Sequence, residues 1–386
     1  MGFTLTPAEG ENFIDRKELV DDMVKTLADK NIQMGFALYG MRRVGKTSIL
    51  REVQRRLMQE ENIVPVYFSL WTVAPKNVYA FVKALSSEIL NAYKSRLSLR
   101  YRAEELIKSP LSILRETLKE LKISAKVGND IEFLLTFDPK REEYGELIRR
   151  VFALPEQLAK ETNTRCVLML DEFPTITDLR SGNAKVGKDI MGLIRTLCES
   201  QQNTILCVSG SIRKTMEITA LSSTSPFYRQ FLVRKIEPLS KVYVRELITK
   251  NLKKEISSES LNEIFRFTRG IPFYIQLIGK EIGSAEMEGD IDRIIEHTIK
   301  EEGDVIFNEE FRRISPKEQE IVIAMVKSKA HSPREIANVM GEHTDTVSKS
   351  LDYLQEKGVV EKERRGFYSL VDPVFSLWID MKYELY

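Results

Sequence analysis

Histidine and cysteine are scarce in this chain: three of each among 386 residues. His297, His331 and His343 are scattered through the C-terminal part, which argues against a histidine-based metal site. Cys166, Cys198 and Cys207 form no C-x-x-C pair, and two of them lie in apolar, strand-like runs. They read as small buried hydrophobes in a reducing compartment, not as a zinc site or a disulfide framework. No apolar run is long enough to span a bilayer and no signal peptide is recognisable, so a cytoplasmic protein is expected. Charge of one sign is also lacking. Basic residues number 58 and acidic ones 57, a net charge of +1. Any affinity for nucleic acid would have to come from a local patch.

What is present is a chain too long for one typical core, with 42% hydrophobic and 30% charged residues. Two or three domains are expected. Residues Gly40-Met41-Arg42-Arg43-Val44-Gly45-Lys46-Thr47 read G-x-x-x-x-G-K-T, the phosphate-loop pattern. An apolar run, Phe36–Tyr39, precedes it, and a helical pattern beginning at Ser48 follows. The two glycines let backbone N–H groups converge on phosphate oxygens, and the helix N-terminus adds its dipole. Lys46 can reach the β- and γ-phosphates, and Thr47 can place a hydroxyl on Mg²⁺.

The second chemical landmark is Cys166-Val167-Leu168-Met169-Leu170-Asp171-Glu172. Five apolar residues make a buried central strand, and carboxylates at its C-terminal end lie where ligands of parallel sheets bind. Asp171 is placed to steer Mg²⁺, and Glu172 to polarise a water for attack on the γ-phosphate. A further buried strand ends at Ser209-Gly210-Ser211. Ser209 or Ser211 could bond the γ-phosphate or the water, with a helix cap as the alternative for Ser211. Arg229 could face the γ-phosphate in cis or in a neighbouring subunit, or simply be solvated.

Other segments give structural readings. Asp15 and Glu18 fit a capping box before a helix, while Phe13, Ile14 and Arg16 suit a base contact. Residues 96–140 look like an insertion, with a helix near 110–120. Two β-rich runs, 121–127 and 131–137, flank Gly128-Asn129-Asp130 and suggest a hairpin. Gly270 and Pro272 fit a helix–turn–helix junction that could also close over a nucleotide. From Ser315 three helices and a hairpin with a basic tip read as a winged helix. Between Ser315 and Val371 nine basic residues balance nine acidic ones, which is poor for docking on phosphates. A protein-interaction role for this part is as reasonable as DNA reading.

Taken together, Phe13–Glu18, the double-arginine loop, Leu170-Asp171-Glu172-Phe173-Pro174, Ser209-Gly210-Ser211, Gly270-Ile271-Pro272 and Asp372-Pro373-Val374-Phe375 with Trp378 resemble the archaeal ATPase family. That family lies within the STAND class of P-loop NTPases, relatives of AAA+ proteins and origin-recognition-type initiators. The chain departs from the family at Phe227-Tyr228-Arg229-Gln230, where Leu-Tyr-Gly-Arg is common.

The resemblance implies an α/β P-loop NTPase, a parallel sheet with flanking helices (1–239), then an all-α lid (240–313) and a C-terminal winged helix (314–386). It implies ATP and Mg²⁺ as ligands and a slow, switch-like ATPase. Residues Gly40 to Ser48 would hold the nucleotide, Arg16 and Pro272 would border the base, and Thr47 and Asp171 would hold the metal. Lys46, Glu172, Ser209 and Arg229 would serve the chemistry. Two alternatives stand beside this reading: a DNA-handling ATPase, and a nucleotide-binding scaffold without turnover. The resemblance names no pathway. Arg42 and Arg43 are not needed to cradle phosphate, and a surface or interdomain ion pair, for example with the lid or winged helix, is their simplest role.

Overall fold

The computed structural model describes residues 2–99, 102–121, 123–211, 216, 227, 230–252, 256–284 and 291–383. The first part alternates strands and helices: α1 (Lys17–Ala28), β1 (Gly35–Tyr39), α2 (Lys46–Leu57), β2 (Ile63–Ser69) and α3 (Val78–Tyr93). Next come α4 (Ala103–Lys108), α5 (Leu111–Lys119), α6 (Ala125–Thr136) and α7 (Tyr144–Glu161). Then follow β3 (Arg165–Asp171), a small ribbon of β4 (Arg180–Ser181) and β5 (Ala184–Lys185), α8 (Gly187–Glu199), β6 (Thr204–Gly210) and β7 (Phe231–Lys235).

Five of these strands form one parallel sheet in the order β2-β3-β6-β1-β7. Both faces are covered. Phe36 and Leu38 of β1, Val167 and Met169 of β3, and Ile205 and Cys207 of β6 pack with α1 and α2. Their sequence neighbours Ala37, Leu168 and Val208 pack on the other side with α3, α7 and α8. A period of two with apolar residues on both faces is what a sheet between two helical layers requires.

The regular elements in the insertion's described part are all helices. The hairpin expected around Gly128 does not form: Gly128-Asn129-Asp130 lie inside α6, which Ser124 caps by accepting from Val127 N at 3.5 Å. Val127, Ile131, Leu134 and Leu135 are spaced for one helical face and are buried against neighbouring helices. That long-range burial outweighs the local turn signal. The capping box expected from Asp15 and Glu18 is also absent. Asp15 and Arg16 both have positive φ, and the Asp15 carboxylate accepts instead from Arg16 N at 2.6 Å. This turn is needed because Arg16 Nη2 donates to Glu237 O at 2.7 Å, across the sheet's end.

The second part is helical: α9 (Lys241–Asn251), α10 (Ser258–Thr268), α11 (Pro272–Ser284), α12 (Ile291–Arg312), α13 (Pro316–Ser328), α14 (Pro333–Met340) and α15 (Thr344–Glu356). An antiparallel pair, β8 (Val360–Arg364) with β9 (Phe367–Leu370), and α16 (Pro373–Lys382) complete it. Gly270 at φ 78 and Pro272 at the start of α11 make the expected junction. Buried residues from Leu239 to Ile379 form one continuous apolar cluster. At its centre Phe307 of α12 meets the rings of Tyr274, Phe375 and Trp378. Among the described residues no helix is long and apolar enough to cross a membrane.

Candidate functional site

The phosphate loop joins β1 to α2, and its glycines are sterically fixed. A Cβ on Gly40 would come within 2.4 Å of Ile236 O. Gly45 has φ +98, and a Cβ there would lie 2.8 Å from Arg16 Nη1. Arg16 therefore braces the loop from behind, and burial lowers its pKa to about 10, with Asp15 opposing the shift. Lys46, the first residue of α2, is 5% exposed. Its Nζ donates to Gly40 O at 3.0 Å and Met41 O at 2.7 Å. Burial lowers its pKa to about 8, with Glu172 and Asp171 opposing.

Strand parity places the next groups. Tyr67, Asp171 and Ser209 each follow, at even spacing, a residue packed on the α2 face, so all three point to that face at the C-terminal end of the sheet. There Asp171, almost fully buried, gathers its neighbours. Oδ2 accepts from Thr47 Oγ1 and from Tyr67 OH, both at 2.7 Å. Oδ1 accepts from Ser209 Oγ and from Glu172 N, the latter at 3.1 Å. Burial, then the charge of Asp171, raises the Tyr67 pKa, so Tyr67 remains a proton donor. Glu172 stands at φ 52 just past the strand, and Ser211 Oγ donates to its Oε1.

Of these groups Lys46, Thr47, Glu172 and Ser211 border a cavity of about 380 Å³, with Asp171, Tyr67 and Ser209 just behind its lining. One wall carries Arg42, Arg43, Gly45, Lys46, Thr47, Ser48, Glu172 and Ser211. The opposite, helical wall carries Pro272, Phe273, Ile306 and Glu310. The size suits a small-molecule ligand. The oxygen donors Thr47 and Asp171, with Glu172 beside them, are the hard ligands that magnesium prefers, and among the described residues no histidine or cysteine lines the cavity. Their chemistry fits a magnesium ion held with a phosphate.

The expected residues fall into three groups. Lys46, Thr47, Ser48, Glu172 and Pro272 lie together on the cavity. Asp171, Ser209 and Arg16 stand behind its lining: Asp171 accepts from Thr47 and from Ser209, and Arg16 lies against Gly45. Arg229 lies outside the described residues. Ser48 also holds the N-terminal segment, accepting from Ala8 N at 3.1 Å. Thr4 to Ala8 complete the cavity, as does Trp71, and neither carries a motif that would have marked it.

Arg42 and Arg43 turn away from the loop toward the helical part. Arg42 Nη1 lies 2.5 Å from Glu310 Oε1, and Arg43 Nη2 3.6 Å from Glu310 Oε2. Arg43 Nη1 lies 3.2 Å from Asp372 Oδ2 and donates to Tyr274 OH at 3.1 Å. Its guanidinium also sits over the rings of Phe273, Tyr274 and Phe307, at 5.5, 5.8 and 5.2 Å. Burial opposes its charge, but Tyr274, Asp372 and Glu310 outweigh this and raise its pKa.

A five-stranded parallel sheet with a phosphate loop after β1 and an acidic pair after β3 defines the α/β P-loop NTPase fold. Residues 13–278 match the family model described as an ATPase domain predominantly from Archaea, and the chain belongs to that family. Residues 304–379 match a model described as a domain of unknown function. No curated protein matches the chain.

Among solved structures, the Walker-type ATPase of Pyrococcus abyssi is similar over 98% of this chain and 100% of its own, with a TM-score of 0.71 at 20% identity. The Aeropyrum pernix ORC2 protein, described as ADPNP–ADP complexes, is similar over 96% of each chain, with a TM-score of 0.54 at 13% identity. The Aeropyrum pernix ORC1 protein, in complex with DNA, covers 98% of this chain and 94% of its own, with a TM-score of 0.50 at 13% identity. At these identities the likeness is one of fold.

Proposed function

We propose that the protein binds ATP in this cavity and hydrolyses it slowly, as a nucleotide-controlled switch of the STAND type. The observation that carries this reading is the convergence of Lys46, Thr47 and Glu172 on a cavity closed by a second, helical wall. Lys46 and the loop N–H groups would hold the phosphates, with Lys46 exchanging its two carbonyl partners for phosphate oxygens. Thr47 and Asp171 would hold magnesium, which when bound would neutralise negative charge that develops on the phosphates. Tyr67 and Ser209 fix the orientation of Asp171. Glu172, itself oriented by Ser211, would take the proton of the attacking water. Pro272 and Phe273 offer an apolar surface for the base. ATP is preferred to GTP because no guanine-reading Asn-Lys-x-Asp stands where one is expected.

We assign residues 1–239 to the ATPase unit, 240–313 to a lid and 314–386 to a winged helix. The lid and winged helix share one buried core, so they are expected to move together. Replacing Glu172 by Gln tests the catalytic assignment. Phosphate release should fall by ~10²–10⁴ while ATP binding is kept. Unchanged release would leave a nucleotide-binding scaffold as the better reading.

A second reading, DNA handling, has one observation in its favour. Lys349 of α15 and the hairpin-tip residues Lys362, Arg364 and Arg365 are exposed. Exposed Asp345 and Asp352 on α15 weigh against it. It requires DNA affinity that falls steeply with salt and is lost when the hairpin-tip cations are replaced.

A further inference from the structure

The family match to an archaeal ATPase ends at residue 278, yet the two carboxylates that grip the loop arginines lie beyond it. Glu310, in the last turn of α12, and Asp372, just before α16, both fall within 304–379, the segment matched to a domain of unknown function. We propose that this segment sets the conformation of the phosphate loop through these two carboxylates, Asp372 fixing Arg43 and Glu310 competing with nucleotide phosphate for Arg42.

The two contacts differ in kind. Arg43 is the loop's positive-φ non-glycine residue, at φ 63, a conformation that side chains other than glycine's rarely adopt. Its side chain borders the cavity and is 21% exposed, but its guanidinium has several partners on the helical side. Asp372 and Tyr274 take Nη1, Glu310 lies near Nη2, and three aromatic rings surround the guanidinium. Asp372 is itself immobilised. Its Oδ2 accepts from Tyr274 OH, while Oδ1 caps α16 by accepting from Val374 N at 3.0 Å and Phe375 N at 3.2 Å. Asp372 does not border the cavity, so nothing bound there reaches it directly. This pair is a fixed support for the loop's backbone.

The other contact is exchangeable. Arg42 and Glu310 both border the cavity, and their side chains are 32% and 20% exposed. Glu310 places negative charge in a space that would receive phosphates, while its neighbour Glu309 is paired with Arg313. An incoming polyphosphate repels Glu310 and offers Arg42 a second anion. Glu310 lies two residues from the end of α12, whose Phe307 sits in the core shared with α16. Loss of the Arg42 contact therefore removes one tie between the helical wall and the loop, while the Arg43–Asp372 tie stays. Asp372 and Glu310 are positioning residues in this scheme, since neither donates to the reacting atoms.

The Asp372 half needs no nucleotide to be tested. Asp372→Asn keeps the capping oxygen of α16 but removes the charge, so the variant should fold. Hydrogen exchange of the full chain, without nucleotide, should show faster exchange at the loop amides 41–47, by tenfold or more on the order of a lost local contact. Arg43→Lys, which keeps the charge but loses the planar fork, should do the same. Unchanged exchange in both variants overturns the support role.

The Glu310 half rests on the nucleotide reading above and uses calorimetric titration with a non-hydrolysable ATP analogue. Glu310→Gln should bind it roughly five- to tenfold more tightly, the scale of a modest coupling between sites. In an Arg42→Ala background that gain should shrink, because the competition has lost its object. An equal gain in both backgrounds, or none in either, overturns the exchange. If the unaltered protein binds no analogue, the nucleotide reading itself fails and the exchange at Arg42 falls with it, while the hydrogen-exchange result still decides the role of Asp372.

Discussion

On the α/β wall of the cavity, Lys46, Thr47 and Asp171 are satisfied by partners within that wall: carbonyls of the loop, Tyr67, Ser209 and the backbone at Glu172. On the helical wall, Glu310 and, behind it, Asp372 find their cations on the other side, in the loop itself. The first arrangement is a preorganised site whose geometry depends on one sheet. The second makes two distant parts of the chain depend on each other's charge. A buried charge without a partner is costly, so neither Arg43 nor Asp372 can be moved alone. Under the proposed function the α/β wall would carry the chemistry, and the pairing across the gap would make it felt by the helical part.

The contrast breaks most readily at the helical core. Phe307 is fully buried and also forms one face of the Arg43 cage. Phe307→Ala should lower the stability of the helical region by ~3–5 kcal/mol, measured by chemical denaturation. It should loosen the loop from the helical side while leaving the sheet's own packing intact. If the whole chain lost stability uniformly, the two walls would be one cooperative unit.

The α/β wall has a pH signature of its own. Lys46 in the folded protein titrates at about 8, against an ordinary value of 10.5. Between those values the unfolded chain holds more protons, so the stability of the nucleotide-free protein should rise with pH from about 8 to 10.5. Nucleotide affinity should run the other way, because phosphate needs the ammonium form. It should fall above pH 8 by up to about tenfold per unit, as read by titrations across that range. The groups facing Lys46 are Glu172, Asp171, Arg42 and Arg16. Affinity independent of pH over this range would mean that Lys46 does not meet the phosphates.

The smallest effect sharpens the role of the α/β wall. Tyr67→Phe removes one of the hydrogen bonds to Asp171 and nothing else of size. A loss of ~1 kcal/mol in stability is expected, together with a higher magnesium requirement for nucleotide binding. An unchanged magnesium dependence would reduce Tyr67 to a packing role.

Much of this was legible in the residues because it is local. The spacing of Gly40, Gly45, Lys46 and Thr47 needs only a strand before it and a helix after it. The apolar run before Asp171 and Glu172 announces a buried strand with charges at its end. The junction at Gly270 and Pro272 follows from the backbone chemistry of those two residues. Other features were not legible, each for a physical reason. Turn-forming residues at Gly128-Asn129-Asp130 suggested a hairpin, but burial of Val127, Ile131 and Leu134 against other helices made a helix. Asp15 and Glu18 fit a capping box, but Arg16 is drawn beneath Gly45 and turns the chain. Thr4 to Ala8 border the cavity without any pattern, since backbone lying across a groove needs no particular residue types.

The phosphate loop, the acidic strand end and the alternation of strand and helix rest on spacing within a few residues and could be read from the chain directly. That Tyr67 and Ser209 serve Asp171 came from folding, since they lie on separate strands brought side by side. Folding alone decided where Arg42 and Arg43 point. Their carboxylate partners lie more than 260 residues further along the chain, and no local rule connects charges that only folding brings within reach.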